Sequence, residues 1–228
     1  RKKLVDGFDN GLVVKEGPKI LTLPTRYRSI LKSRFEEGGI YSIDFSALEP
    51  RITAKLSETK SGSDIYEDIL DLLSYDADRS VIKKAVISSI YGANYTSLEN
   101  LSINKSKELF DIINSYFDFD KILKMSKNID DFGIRRNYFG RPIWNIEETR
   151  ENILINNYIQ STAVDVSLLY FSELVKITEK IVPMFVLHDA LIVDIEDKNF
   201  EDVCEIVNNG YMNDKLGHFP LKIEKFNI

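Results

Sequence analysis

The sequence predicts an α+β fold: a small antiparallel sheet with helices on one face, interrupted by an inserted helical subdomain. Three observations carry that reading. A short β-rich run, Ile40-Tyr41-Ser42-Ile43-Asp44-Phe45, follows the turn signal Gly38-Gly39. A second stretch, Met184 to Asp194, has two apolar arms around a polar tip, the pattern of a hairpin. Between the two extended regions the apolar period changes to that of helices, near 64–74, 79–91, 105–117 and an unusually long 147–178.

Taken in order, residues 1–25 are irregular or short extended structure, broken by Gly7, Gly11, Gly17, Pro18 and Pro24. The strand at 40–45 leads into a helix starting near Ser46, with Pro50 tolerated in its first turn. After the hairpin, a helix near 198–210 and a strand, Pro220-Leu221-Lys222-Ile223, end the pattern. There is no internal repeat, low-complexity tract or Pro/Gly-rich linker.

Composition limits the classes of function. With 228 residues, 43% of them hydrophobic, the chain can bury a substantial core. No apolar run approaches a membrane span or a secretory leader, so a cytoplasmic protein of a bacterial or virus-infected cell, with no membrane partner, is expected. The single Cys204 has no second thiol to pair with and reads as a small buried hydrophobe. A net charge of −6 argues against a protein that coats nucleic acid generally. Any such contact must be local, at basic clusters such as Arg26 to Arg34, Lys83-Lys84 or Arg135 to Arg141, which by default are solvated faces.

Two carboxylates, Asp44 and Asp189, stand at strand ends in otherwise apolar runs. Burial of such a group is costly unless it is paired or binds a cation. Singly, each reads as a turn or capping residue. Together, with a cationic helix between them, they suggest a divalent-metal pair for phosphoryl transfer. That helix carries Arg79, Lys83, Ile87 and Tyr91 at a spacing of four, followed by Gly92, so two cations, an apolar group and a phenol share one face. Spacing alone equally describes a solvated amphipathic helix. Asn152, Asn156 and Gln160 recur at the same interval on the long helix and, on spacing alone, describe a solvent face.

These residues carry a resemblance. Asp44-Phe45-Ser46-Ala47-Leu48-Glu49-Pro50-Arg51 resembles motif A of family A (polymerase I-like) DNA polymerases, Asp-Tyr-Ser-x-x-Glu-x-Arg. Arg79-x3-Lys83-x7-Tyr91-Gly92 is similar to motif B, and Leu187-His188-Asp189 to motif C. Pro18 to Arg26 is similar to the family's Pro-Asn-Leu-Gln-Asn-Ile-Pro-x-Arg, and Tyr158 to Asp165 to its Pro-x-Gln-Gly-Thr-Ala-x-Asp. Any one motif is weak, and five in the right order are strong. The resemblance spans about residues 18 to 195.

It implies a polymerase palm with an inserted fingers subdomain: residues 1–57 begin the palm, 58–140 form the fingers, and 141–228 complete the palm. It implies an enzyme that adds dNTPs to the 3′ end of a primer on template DNA, using two Mg²⁺ ions, with Mn²⁺ as a substitute. By the same resemblance Asp44, Asp189 and the Phe45 carbonyl hold the metals, Arg79 and Lys83 bind the nucleotide phosphates, and Glu49 gates against a 2′-hydroxyl with support from Tyr91. Arg26, Asn156 and Gln160 read the minor groove, Arg141 meets the template, and His188 lies near the primer terminus.

The departures are specific. Ile87 replaces an aromatic residue that stacks on the incoming base, Ala190 replaces a Glu after the motif C Asp, and Tyr66 replaces a phosphate-assisting His. The helical thumb and exonuclease regions of the family are not recognisable, so they are expected upstream or on a separate polypeptide. Two alternatives stay open: a single-subunit, phage-type RNA polymerase or primer-making relative, which shares the motif B helix but lacks the Glu49 gate, and an inactive polymerase-like accessory subunit.

Overall fold

The computed structural model describes residues 24–100, 105–144 and 150–226. Strand β1 (Gly38–Phe45) is central, because two elements from the far end of the chain pair with it. On one edge lies β5 (Ala190–Glu196), with β4 (Ile181–Leu187) outside it; on the other lies β8 (Leu221–Lys225). All pairs are antiparallel, in the order β4-β5-β1-β8.

Successive residues of a strand point to opposite faces, and the sheet uses both. Ile43, Phe45, Leu191, Val193 and Ile195 enter the main core. Ile40, Ala190, Ile192 and Phe226 form a smaller cluster on the other side. Strand β5 is therefore apolar almost throughout, and its one buried charged residue is Asp194, only 3% exposed. That carboxylate accepts from Ser33 Oγ at 2.6 Å and from the Arg34 N–H at 2.8 Å, which ties the segment before β1 to the sheet. A Cβ at Gly38 would sit 2.8 Å from the Ile195 carbonyl oxygen and 2.8 Å from Ser33 Oγ, so the crossing needs a glycine. Replacing Asp194 by Ala leaves Ser33 and the Arg34 N–H without their acceptor; we expect a loss of about 2–4 kcal/mol, measured by urea unfolding.

Helix α1 (Leu48–Leu56) follows β1 through Ala47, whose φ of 55° is left-handed and turns the chain sharply. Among the described residues α1 is followed by α2 (Ile65–Leu70), α3 (Arg79–Ile90), α4 (Tyr95–Asn100), α5 (Ser106–Tyr116) and α6 (Phe119–Lys127). Asp64 caps α2 by accepting from the Tyr66 N–H, and Asp118 caps α6 by accepting from the Lys121 N–H. A two-residue-per-strand hairpin, β2 (Arg135–Arg136) with β3 (Pro142–Ile143), precedes α7 (Glu151–Ile177). At 27 residues α7 is about 40 Å long. It packs Tyr170 and Phe171 against Phe45, with ring centroids 5.6 and 5.9 Å apart. The chain ends with α8 (Phe200–Asn208), a hairpin of β6 (Tyr211–Asn213) and β7 (Gly217–Phe219), and β8.

The α+β class and the antiparallel sheet are as expected. Several details differ. The helix expected over 64–74 stops at Leu70, where Asp71 meets the negative end of the helix dipole with no basic residue in the last turn. Helices α4 and α6 were not expected, although Asp118 is a capping signal. Cys204 is half-buried rather than in the core. The start of the expected helix at 147 and the segment 18–23 lie outside the described residues. Among the described residues no helix is long and apolar enough to cross a membrane.

Candidate active site

Strand β1 delivers Asp44 one residue before its end, where it pairs with Ala190. The β4–β5 hairpin reverses through only two residues, His188 and Asp189, with His188 at φ 57°. Because Ala190 faces Asp44 in register, the turn holds Asp189 beside it. Both carboxylates line a cavity of about 870 Å³.

Burial, then the charge of Asp189, raises the Asp44 pKa to about 6. Lys222 opposes that rise: it faces Asp44 across the β1–β8 register, with its Nζ 3.8 Å from Asp44 Oδ2 and 3.2 Å from Glu224 Oε1. The sign for stability follows from the raised pKa. A carboxyl that binds its proton more tightly when folded makes the fold less stable as pH rises from about 4 to about 6, the reverse of a salt-bridged aspartate. We therefore expect Asp44 in the cation-free protein to titrate near pH 6 and to titrate lower in Asp189→Asn; carboxyl NMR measures both, and a midpoint at 4 in the parent protein would contradict the assignment.

Helix α3 turns one face to the same cavity. Arg79, Lys83, Ile87 and, just past its end, Tyr91 all line it. The Arg79 guanidinium donates to Asp64 through Nε at 3.1 Å and Nη2 at 2.5 Å, lies 3.4 Å from Glu67, and stacks 4.9 Å from the Tyr66 ring centre. Lys83 is exposed and has no ion-pair partner among the described residues. Burial raises the Tyr66 phenol to about 12, so it faces the cavity uncharged.

Glu49, in the first turn of α1, accepts from the Tyr91 hydroxyl at 3.1 Å. Burial and then the Asp189 charge raise its pKa, while the Tyr91 bond lowers it. Gln160 of α7 lines the same cavity as Tyr91; burial raises the Tyr91 pKa and Gln160 opposes the rise. Next to Tyr91, Gly92 has φ 83°, and a Cβ there would lie 2.6 Å from Asn152 Cβ. The end of α3 thus rests directly on the first turn of α7.

The structure therefore gathers Asp44, Phe45, Glu49, Tyr66, Arg79, Lys83, Ile87, Tyr91, Gln160, His188 and Asp189 around one space. The Phe45 ring is 3% exposed in the core, so only its backbone is on offer there. Three expected site residues stand apart from the cavity. Arg26 is exposed on the 3₁₀ turn Thr25–Ile30, with its guanidinium 4.8 Å from the Tyr27 ring centre. Arg141 is held by Asp165 at 2.8 Å and by the Ser161 carbonyl at 2.8 Å, pinning the β2–β3 hairpin to α7. Asn156 is half-buried, and its Oδ1 has no hydrogen-bond partner among the described residues. Lys222 and Asp64 belong to the site and were missed. No motif marks Lys222, which reaches Asp44 only through strand pairing.

The donor set fits a hard divalent cation. Among the described residues no cluster of three or more His, Cys, Asp or Glu side chains occurs. Two carboxylates and a backbone oxygen are what Mg²⁺ takes when it keeps several waters, and the burial and then the Asp189 charge that raise Asp44 leave the pair short of positive charge.

The sequence model described as DNA polymerase family A matches residues 15–225. The chain belongs to this family. Its fold is also seen in solved structures, of which 124 chains match. One is the POL domain of Pol1 from M. smegmatis in complex with DNA primer-template and dNTP, with a TM-score of 0.70 and 17% identity. The alignment covers 92% of this chain but 44% of that one, so this family A chain spans less than half the length of the relative. No curated protein matches it in sequence.

Proposed function

We propose that the chain is the catalytic core of a template-directed DNA polymerase that extends a primer 3′ end with dNTPs. The observation that carries this is the convergence of Asp44, Asp189, Glu49, Arg79, Lys83 and Tyr91, drawn from separate elements, on one cavity. In this reading the sheet with α1 and α7 is the palm, and the helices within 58–140 are the fingers.

Asp44, Asp189 and the Phe45 carbonyl hold divalent cations, which supply activation of the primer hydroxyl and stabilisation of the leaving oxygens. Lys83, unpaired among the described residues and on the cavity wall, binds the triphosphate and offsets charge developing on it. Arg79 does the same once it leaves Asp64 and Glu67. Tyr66 donates one hydrogen bond where a charged group would give more. Ile87 offers apolar packing to the base, and Glu49, fixed by Tyr91, stands against a 2′-hydroxyl. Gln160 and Asn156 on α7, with Arg26, check pair geometry through minor-groove acceptors common to all correct pairs, while Arg141 contacts the template and His188 lies near the primer terminus.

The M. smegmatis relative was solved with primer-template and dNTP, and the same partners are proposed here. Extension of a labelled primer-template with Mg²⁺, in parallel with dNTPs and NTPs, tests the reading. We expect dNTP incorporation; preferential NTP use would assign the site to RNA or primer synthesis, and no extension with either would leave a binding subunit.

A further inference from the structure

We propose that Lys222 is a resident counter-ion of the Asp44–Asp189 pair: it lowers the affinity of the pair for divalent cations, and Glu224, which already holds the ammonium, draws it further from Asp44 when a cation is bound. The inference rests on the reading of Asp44 and Asp189 as cation ligands, and goes beyond it to the group that sets how tightly they hold. Three observations carry it.

First, register fixes Lys222 directly opposite Asp44 on the neighbouring strand, and both line the cavity. Second, the ammonium has two carboxylates to choose between, Asp44 Oδ2 at 3.8 Å and Glu224 Oε1 at 3.2 Å. Glu224 lies two residues on along β8, hence on the same face, and is already the nearer partner, so a rotation of the long lysine stem moves the charge further from Asp44 without moving the backbone. Lys222 is 46% exposed and Glu224 65%, so the move meets no packed core. Third, Ala190 follows Asp189, so β5 places no further carboxylate directly beside the pair.

Electrostatics gives the direction. A cation at Asp44 must share that oxygen's surroundings with the ammonium, and like charges a few ångströms apart repel even in a high dielectric. Glu224 already holds the ammonium at 3.2 Å, so the repulsion is reduced when Lys222 moves further toward it. Removing Glu224's charge should therefore have the opposite effect from removing that of Lys222.

The test reads Mn²⁺ binding by electron paramagnetic resonance, in protein free of nucleotide and DNA, at fixed ionic strength and pH 8. Lys222→Met should bind Mn²⁺ about three- to tenfold more tightly than the parent. Lys222→Arg should keep the parent affinity, and Glu224→Gln should bind about twofold or more weakly. Asp44→Asn separates the two ideas. If it leaves Mn²⁺ binding intact, the cation site itself is wrong. If it abolishes binding while Lys222→Met leaves affinity unchanged or weaker, the counter-ion is wrong and the site stands. Weaker primer-template binding by Lys222→Met, with unaltered Mn²⁺ affinity, also overturns it and makes Lys222 a DNA contact.

Discussion

Asp44→Asn or Asp189→Asn should lower primer extension at least about a thousandfold, or about 4 kcal/mol in transition-state stabilisation, while the cation-free protein becomes more stable at neutral pH. The two effects have one cause. Asp44 and Asp189 face the same cavity closely enough that the second charge is, after burial, the main reason the Asp44 pKa climbs to about 6. At pH 7 the fold therefore carries a repulsion that the unfolded chain lacks, and the neutral amide of equal size removes it. The same amide takes away an oxygen ligand, so activity falls. Steady-state extension with Mg²⁺ and urea unfolding in chelator measure the pair of effects. Loss of activity with loss of stability would point instead to a structural role, and unchanged extension would show that the carboxylates are not metal ligands.

Glu49→Ala should raise the use of NTPs relative to dNTPs by about a hundredfold or more, roughly 3 kcal/mol, with a smaller effect on dNTP incorporation. The expectation comes from how Glu49 is held. Its carboxylate accepts from the Tyr91 hydroxyl at 3.1 Å, Gln160 lines the same cavity, and Gly92 lets this end of α3 lie against α7. A side chain fixed from two elements excludes a hydroxyl better than one that can rotate away. Tyr91→Phe removes that support but keeps the ring, and should give a partial loss of discrimination. Competition between a dNTP and its NTP at one template position reads the ratio. An unchanged ratio in Glu49→Ala would remove the gate from this residue.

Much of the site was legible because the signals are local. A four-residue period on 79–91 fixes which side chains share a face of α3, and an apolar run broken by a polar tip marks the hairpin that carries Asp189. What the period could not say is where the face points; packing of α3 against α1, α2 and α7 turns it to the cavity. Arg79 shows the same limit. Its place on the face was readable, but its pairing with Asp64 and Glu67 depends on how α2 lies beside α3. The short helix α4 escaped because six residues hold too little period to stand out from a loop.

By itself, then, the sequence determined the α+β class, the carboxylates at two strand ends, the cationic helix between them, and the replacements at Ile87, Ala190 and Tyr66, since residue type and short-range periodicity are properties of the chain before it folds. Only the tertiary structure decided that Lys222 stands opposite Asp44, that Asp194 anchors the segment before β1, and that Arg26, Arg141 and Asn156 lie outside the cavity. Those are contacts between distant stretches of chain. Strand register and helix packing set them, by burying the most apolar surface with every backbone group paired, and no local pattern records the result.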